Sequence, residues 1–412
     1  MAKATTSWER VKFGDVVRLV KETCKDPVAA GIERVIGLEH LEPGDLRVRS
    51  WADVADGTTF TTRVRPGQVL FGKRRAYQRK VAVSDFDAIC SGDIYVFESA
   101  KPSKLIPDLL PFVCQTTAFF EHAVGTSAGS LSPRTNWSSL AEYEFALPPP
   151  AAQNRICKLL ATIEVNREVT KGLQADLGGA LDALAQWYAT AGLRRVDSSG
   201  VVERDDLPRD WQLLTIRQLC TGNGAGLTLG PFGSGLKVDD YGHLTEGTPV
   251  LFVADVGRFD LRHVSQKFIS SEKHAQLAAH EAIAGDVLVT EMGWPPGEAC
   301  VVPAGWPPSI IKADIIRARV NRDLVAPEYL ELVLNSHWGQ QQMVRISPGT
   351  TRPRMTLRDF EQLQLAVPQR DEQQRAIRFA AELQARKTNA QSRLEELDSV
   401  KAAALASAMG AA

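Results

Sequence analysis

The chain has 412 residues, 44% of them hydrophobic and 24% charged, with a formal net charge of −1. At ~150 residues per domain this length predicts two or three domains, and the composition excludes long disorder and fibrous classes. No stretch reaches the ~18 uninterrupted apolar residues of a membrane span. The segment from Met1 to Gly14 carries Lys3, Glu9, Arg10 and Lys12 without an apolar run, so it does not read as a secretory signal. Cys24, Cys90, Cys114, Cys157, Cys220 and Cys300 are scattered with no C-x-x-C pair. That pattern predicts buried thiols in a reducing cytoplasm rather than a disulfide framework or a zinc site.

Along the chain, roughly the first 140 residues are turn-rich, with short β-like runs. These are Arg34-Val35-Ile36, Gln68-Val69-Leu70-Phe71 and Ile94-Tyr95-Val96-Phe97. A helical candidate covers Leu105 to Thr116, and a short strand closes at Leu147-Pro148. A long helix is then expected from about Ala151 to Ala189. Ile156, Leu159, Ile163, Asn166, Thr170, Leu173, Leu177, Ala180, Leu184 and Trp187 alternate there at spacings of three and four. This reads as a heptad seam whose polar entries, Asn166 and Thr170, fix register. Gly178-Gly179 weakens the helix locally by ~1 kcal/mol per glycine. Val196 to Gly200 and the charged stretch Glu203 to Asp210 read as an exposed linker.

The same order then recurs. Val250-Leu251-Phe252-Val253, Val287-Leu288-Val289 and Ile310-Ile311 are β-like, and Pro327 to Trp338 is a helical candidate. A strand closes at Val367-Pro368, and a second long helix follows from about Asp371 to Met409. Its seam is Ala380, Leu383, Lys387, Ala390, Leu394, Leu397, Lys401, Ala404 and Ala408. At ~1.5 Å per residue each long helix extends roughly 55 Å, more than a small domain is wide. Two ordinary amphipathic helices, each packed on its own domain, are the competing reading.

Matching residues point to a duplication. At a constant offset of 220, Gly129-Ser130-Leu131-Ser132-Pro133-Arg134 pairs with Gly349-Thr350-Thr351-Arg352-Pro353-Arg354, Gln153 with Gln373, and Arg155 with Arg375. Trp8-Glu9-Arg10-Val11 resembles Trp211-Gln212-Leu213-Leu214. Pro66 to Leu70 resembles Ala284 to Leu288, and Asp93-Ile94 resembles Asp314-Ile315. The expected fold class is α+β: two similar turn-rich α/β domains (1–150 and 211–370), each followed by a long helix (151–192 and 371–412). The linker is 193–210.

Enzyme signatures are approached and missed. Gly67 to Lys73 has P-loop spacing, but Arg74 stands where a Mg²⁺-binding hydroxyl belongs, and Val69-Leu70-Phe71 is strand-like. Gly222 to Gly226 lacks the third spaced glycine of a dinucleotide fingerprint, and His274 and His280 do not share a helix face. No Asn/Asp-Pro-Pro-aromatic methyltransferase tetrapeptide and no nucleophile–His–acid signature is present. Charge arrangement is the stronger signal. Arg63, Arg65, Lys73, Arg74, Arg75, Arg79 and Lys80 fall between Gly57 and Ser84 with no acid among them, and Tyr77 and Gln78 lie in the densest part. Such a hairpin can neutralise phosphates while side chains reach base edges; a solvated basic face is the equal alternative. The repeated Gly-x-x-x-Pro-Arg loops offer Ser130, Arg134, Thr350, Thr351, Arg352 and Arg354 to a backbone phosphate, with a purely structural turn as the competing reading.

These residues resemble a known family, the specificity subunits of type I restriction–modification enzymes. The resemblance covers essentially the whole chain. It rests on the duplicated order of elements and on Gly230-Pro231-Phe232-Gly233-Ser234-Gly235-Leu236-Lys237, Gly67 to Lys73, and Thr350 to Met355. It rests also on the strand-to-helix junctions Leu147 to Ile156 and Val367 to Arg375. It implies two target recognition domains, each reading half of a bipartite double-stranded DNA site, separated by long helices packed as an antiparallel coiled coil. Lys237 joins the expected DNA contacts on this basis. The family further implies two partner methyltransferase subunits that bind S-adenosylmethionine, optional translocating nuclease subunits, no cofactor in this chain, and no catalysis by it. The alternatives are a recognition subunit of another phage-defence methylation system or a self-sufficient fused modification enzyme. The basic hairpin has no counterpart in the second copy, where Thr290-Glu291-Met292-Gly293-Trp294 takes its place, so the two domains should read different sequences.

Overall fold

The computed structural model describes residues 8–190, 207–233, 235–241, 246–349 and 353–409. Most of the expected linker, and Thr350, Thr351 and Arg352, lie outside the described residues. The chain divides into two compact units. One holds residues through Lys171 and from Ser392 onward; the other is Gly172–Gln391.

In the first unit, Glu9–Lys12 pairs antiparallel with Glu144–Leu147. An antiparallel sheet runs in the order Val17–Leu19, Ile94–Ser99, Val69–Gly72, Val81–Val83. A mixed sheet runs Ala52–Asp53, Arg34–Ile36, Ala88–Cys90, Thr62–Val64, its central pair parallel. The second unit repeats this pairing strand for strand. Gln212–Thr215 joins Gln364–Val367. The antiparallel sheet is Leu227–Leu229, Ile315–Ala318, Val287–Thr290, Ala299–Val301. The mixed sheet is Phe268–Ile269, Thr248–Leu251, Ser309–Ile311, Glu281–Ala282, again with a parallel central pair. A small hairpin, Val256–Gly257 with Asp260–Leu261, is an addition. The duplication read from scattered residues is thus a duplication of topology.

Local chemistry explains the repeated elements. Gly67 and Gly285 turn the chain into the equivalent strands at φ +84 and +89, a region glycine enters without the steric cost of a Cβ. Each helical candidate holds an α-helix, and a second helix follows it. Leu110–Cys114 is followed by Thr117–Gly125, and Pro327–Leu334 by His337–Arg345. The break falls at an N-cap hydroxyl, Thr116 accepting from Phe119 N and Ser336 from Gly339 N, which outweighs the continuous apolar pattern. Phe13, Phe71, Phe97 and Phe119 fill the first core, with Phe13 and Phe119 ring centroids 4.8 Å apart. Tyr329, Leu330, Ile316 and Phe360 fill the second.

The long helices are Pro150–Ala189 and Arg370–Met409. Each is anchored by a fully buried glutamine. Gln153 accepts from Ile106 N (2.9 Å) and donates to Pro148 O (2.7 Å); Gln373 accepts from Ala326 N (2.8 Å) and donates to Pro368 O (2.9 Å). Within the first unit the helices pack antiparallel, with Arg167 Nε 2.7 Å from Asp398 and Lys401 Nζ 2.6 Å from Glu164. Within the second, Gln174 meets Gln391 at 2.8 Å and Tyr188 meets Glu372 at 2.7 Å.

In the expected seam of the second helix, Ala380, Ala390, Leu394, Leu397, Lys401 and Ala408 are buried and Leu383 packs against the core, whereas Lys387 is exposed. The seam of the first is corrected by one residue. The buried stripe is Gln153, Cys157, Leu160, Ile163, Arg167, Leu177, Leu181, Ala185 and Tyr188. Ile163 and Leu177 belong to it, and Ile156 and Leu184 lie at its edge. Leu159 and Leu173 are half exposed, and Asn166 is exposed, its amide bonded to Thr162 O of its own helix. Asn166 therefore sets no register. The buried polar positions between the helices are Arg167 and Lys401, whose long aliphatic stems let charged residues occupy a seam.

Candidate nucleic-acid interface

One hairpin in each unit carries the candidate interface. Val69, Leu70 and Phe71 face Val83, Ala82 and Val81 across the first; Val287, Leu288 and Val289 face Val301, Cys300 and Ala299 across the second. The same register leaves loops of equal length, 73–80 and 291–298. Lys73 thus stands where the second copy has Glu291, Arg74 where it has Met292, and Lys80 where it has Glu298.

The Pro-Arg loop docks on this hairpin identically in both copies. Thr135 N donates to Lys73 O and Met355 N to Glu291 O, each at 3.1 Å. Lys73 N donates to Asp93 O (3.0 Å) and Glu291 N to Asp314 O (2.8 Å). Bridges join Arg74 to Arg134 and Met292 to Arg354. The side chains on this shared frame differ in charge balance. Asp93 accepts from Arg74 (3.1 Å) and Arg134 (2.9 Å). Partial burial opposes its ionisation, but the two guanidinium bonds outweigh that and hold its carboxyl below the ordinary range. In the second copy a single Arg354 reaches two acids, Glu291 and Asp314, each at 2.7 Å. Arg134 and Arg354 therefore also pin their own loops, beyond any phosphate contact.

The basic stretch is less uniformly cationic in space than along the chain. Arg63 pairs with Asp87 and Glu22, and Arg65 with Glu22, all acids outside the stretch. Lys73, Arg75, Arg79 and Lys80 form no ion pair among the described residues. Lys73 Nζ lies 4.6 Å from the Tyr95 ring centre; Lys80 donates to Leu38 O (2.9 Å); Arg79 donates to Thr117 Oγ1 (2.9 Å) and covers Phe120. Tyr77 is exposed at the tip beside the partly exposed Gln78. Arg75 and Arg79 bracket that tip in the left-handed region, at φ 54 and 55. Each costs roughly 1 kcal/mol for a residue with a Cβ. The position equivalent to Arg79 is Gly297, at φ +93. An arginine retained where glycine relieves strain points to a use for its side chain.

Ser130 is exposed in the first Pro-Arg loop, and Lys237 is exposed in the second unit, its backbone N–H bound to Asp240. Two exposed aromatics stand outside the set of expected contacts. Trp294 is 80% exposed in loop 291–298, and Phe232 is 55% exposed with the Arg354 guanidinium 5.4 Å from its ring centre. The available signal is an aromatic inside a Gly-Trp-Pro-Pro turn. His274 and His280 stay apart: the first bridges Thr248 and Glu281, the second binds Leu229 O. All six cysteines are free and all but Cys24 are buried. Among the described residues no helix is long and apolar enough to cross a membrane.

Comparison with known proteins places this frame. Residues 6–177 match the model of the type I restriction modification DNA specificity domain. The chain is 27% identical over 128 residues to the Type I restriction enzyme EcoDI specificity subunit of Escherichia coli, covering 29% of this chain and 28% of that one. It is 23% identical over 293 residues to the EcoBI specificity subunit of the same organism, covering 64% of this chain and 58% of the relative. The matches thus span less than two thirds of either relative's length. Two solved structures share the fold over nearly the full length. A chain of a type I R-M system has TM-score 0.57 at 18% identity, covering 99% of both chains. The S subunit of a Type-I restriction-modification system from M. genitalium has TM-score 0.59 at 13% identity, covering 100% of this chain and 99% of that one. Residues 6–177, less than half of the chain, thus match the type I restriction modification DNA specificity domain, and the chain is similar to type I restriction enzyme specificity subunits.

Proposed function

We propose that this chain is the sequence-reading, non-catalytic subunit of a type I restriction–modification complex acting on cytoplasmic DNA. Each repeat reads one half of a bipartite duplex site, and the paired helices hold the halves at a fixed separation. Two methyltransferase subunits carry S-adenosylmethionine and the chemistry; translocating nuclease subunits are an optional addition. The observation that carries this reading is the repeated frame itself: one hairpin loop and one Pro-Arg loop, joined by the same backbone bonds, presented once in each unit. Duplex DNA offers two successive major-groove segments about one turn, ~34–36 Å, apart to a protein with such a repeat. Unlike side chains on one frame give unlike half-sequences. Reconstitution tests the division of labour. The purified chain should bind DNA without modifying it, and methyl transfer should require an added methyltransferase subunit. Methyl transfer by the chain with no other protein present would overturn the reading.

A further inference from the structure

Loops 73–80 and 291–298 occupy one structural position yet carry opposite chemistry. The first presents Lys73, Arg75, Arg79 and Lys80 without acid partners. The second has no lysine or arginine, and its Glu291 is buried against Arg354. Phosphate is therefore an unsuitable ligand for the second loop. What it does present is Trp294, among the most exposed large apolar side chains of the described residues. The surrounding segment is built to support an aromatic face. Met292 pairs by its backbone with Arg354, and Arg354 lies over Phe232. Phe232 is brought there by a close backbone approach that only glycine permits: a Cβ on Gly230 would collide with the carbonyl of Lys312.

Resting on the proposed DNA-reading role, we infer that Trp294 is a specificity-determining residue of the second half-site. It makes apolar contact with base edges, where the first repeat instead uses cations and Tyr77-Gln78. The apolar group displayed in the major groove is the thymine methyl. The second half-sequence accordingly contains an A·T pair read through that methyl. An exposed indole that leaves water on binding is stabilised in proportion to the apolar area it covers.

The test uses the full chain with its methyltransferase partner. Genome-wide methylation is mapped for the unaltered chain, Trp294→Ala and Trp294→Phe, and binding is measured on a duplex carrying the mapped site. Trp294→Ala should relax one base position of the second half-sequence and leave the first half sharp, with Trp294→Phe largely retaining it. Replacing that thymine by uracil should weaken binding of the unaltered chain about fourfold, the value of one buried methyl, and leave Trp294→Ala unaffected. Both half-sequences staying sharp in Trp294→Ala, or equal uracil sensitivity in both proteins, overturns the inference while the subunit role stands. The absence of any bipartite motif with the unaltered chain would instead defeat the subunit role. Trp294 lies outside the core, so a folding defect is not expected, and an unchanged thermal midpoint verifies that.

Discussion

Lys73, Arg75, Arg79 and Lys80 lack acid partners, whereas Arg63, Arg65, Arg74 and Arg134 are held by Glu22, Asp87 and Asp93. Only the first set has charge available to release counterions from DNA. Changing Lys73 and Arg75 to Gln should lower the slope of log binding constant against log salt by ~0.9 for each phosphate no longer neutralised, whereas Arg65→Gln should leave it unaltered. Arg79→Gly should lower the slope in the same way with stability held within about 1 kcal/mol, because relief of the left-handed backbone offsets removal of its bond to Thr117. An undiminished slope, measured by titration at several salt concentrations, would return the hairpin to a solvated basic face. The sequence made this basic density legible but not its neutralisation, since Glu22, Asp87 and Asp93 lie outside the stretch and are brought to it by strand pairing. A second residue-scale expectation concerns Glu331. Burial pushes its carboxyl up to about 7, against a single bond from Val301 N (2.8 Å). A carboxyl whose folded value exceeds its ordinary one favours folding most at low pH and loses that advantage as pH rises from about 4.5 through 7. Glu331→Gln should flatten that loss and raise the stability of the second unit at pH 8 by about 1–2 kcal/mol. Denaturant midpoints at pH 5 and pH 8 measure it.

At the scale of elements, β-branched runs, proline stops and repeated glycines mark the strands and both long helices where the structure has them. The seam of the first helix lies one residue away from the one its spacing predicts. A hydrophobic pattern selects Leu159 and Leu173, while the buried stripe runs through Leu160 and Arg167, the second of which such a pattern passes over. The helices Thr117–Gly125 and His337–Arg345 go unread because the hydroxyls that cap them, Thr116 and Ser336, carry no weight in an apolar count. Neighbouring substitutions test the observed seam. Leu160→Ala empties a fully buried site and should cost about 2–4 kcal/mol, whereas Leu159→Ala, at 50% exposure, should cost under about 1 kcal/mol. Equal costs in equilibrium unfolding would favour the register that the spacing predicts. Gln153 and Gln373 are visible in the sequence only as matched letters; the structure gives them the same task, satisfying an orphan N–H and the carbonyl at the helix entry.

At the scale of the whole chain, one α/β frame occurs twice and each copy is followed by a helix of equal length, 40 residues. The division of the chain reflects this. Each unit takes its own globular part and a segment of both helices, so neither long helix belongs to one domain as an ordinary amphipathic helix would. The sequence made the duplication legible because the Pro-Arg loops and helix-entry glutamines recur at one constant offset. It left the shared register of loops 73–80 and 291–298 illegible because they have a backbone register in common and no side chain. If the repeats read and the helices space, removal of one matched heptad from both helices alters distance without altering the reading loops. The most direct measurement is methylome sequencing of cells carrying the intact chain beside cells carrying that shortened form. The account predicts a bipartite motif whose gap shortens by ~3 base pairs, from ~10 Å at ~1.5 Å per residue, with both half-sequences unchanged. A constant gap with altered half-sequences would contradict it.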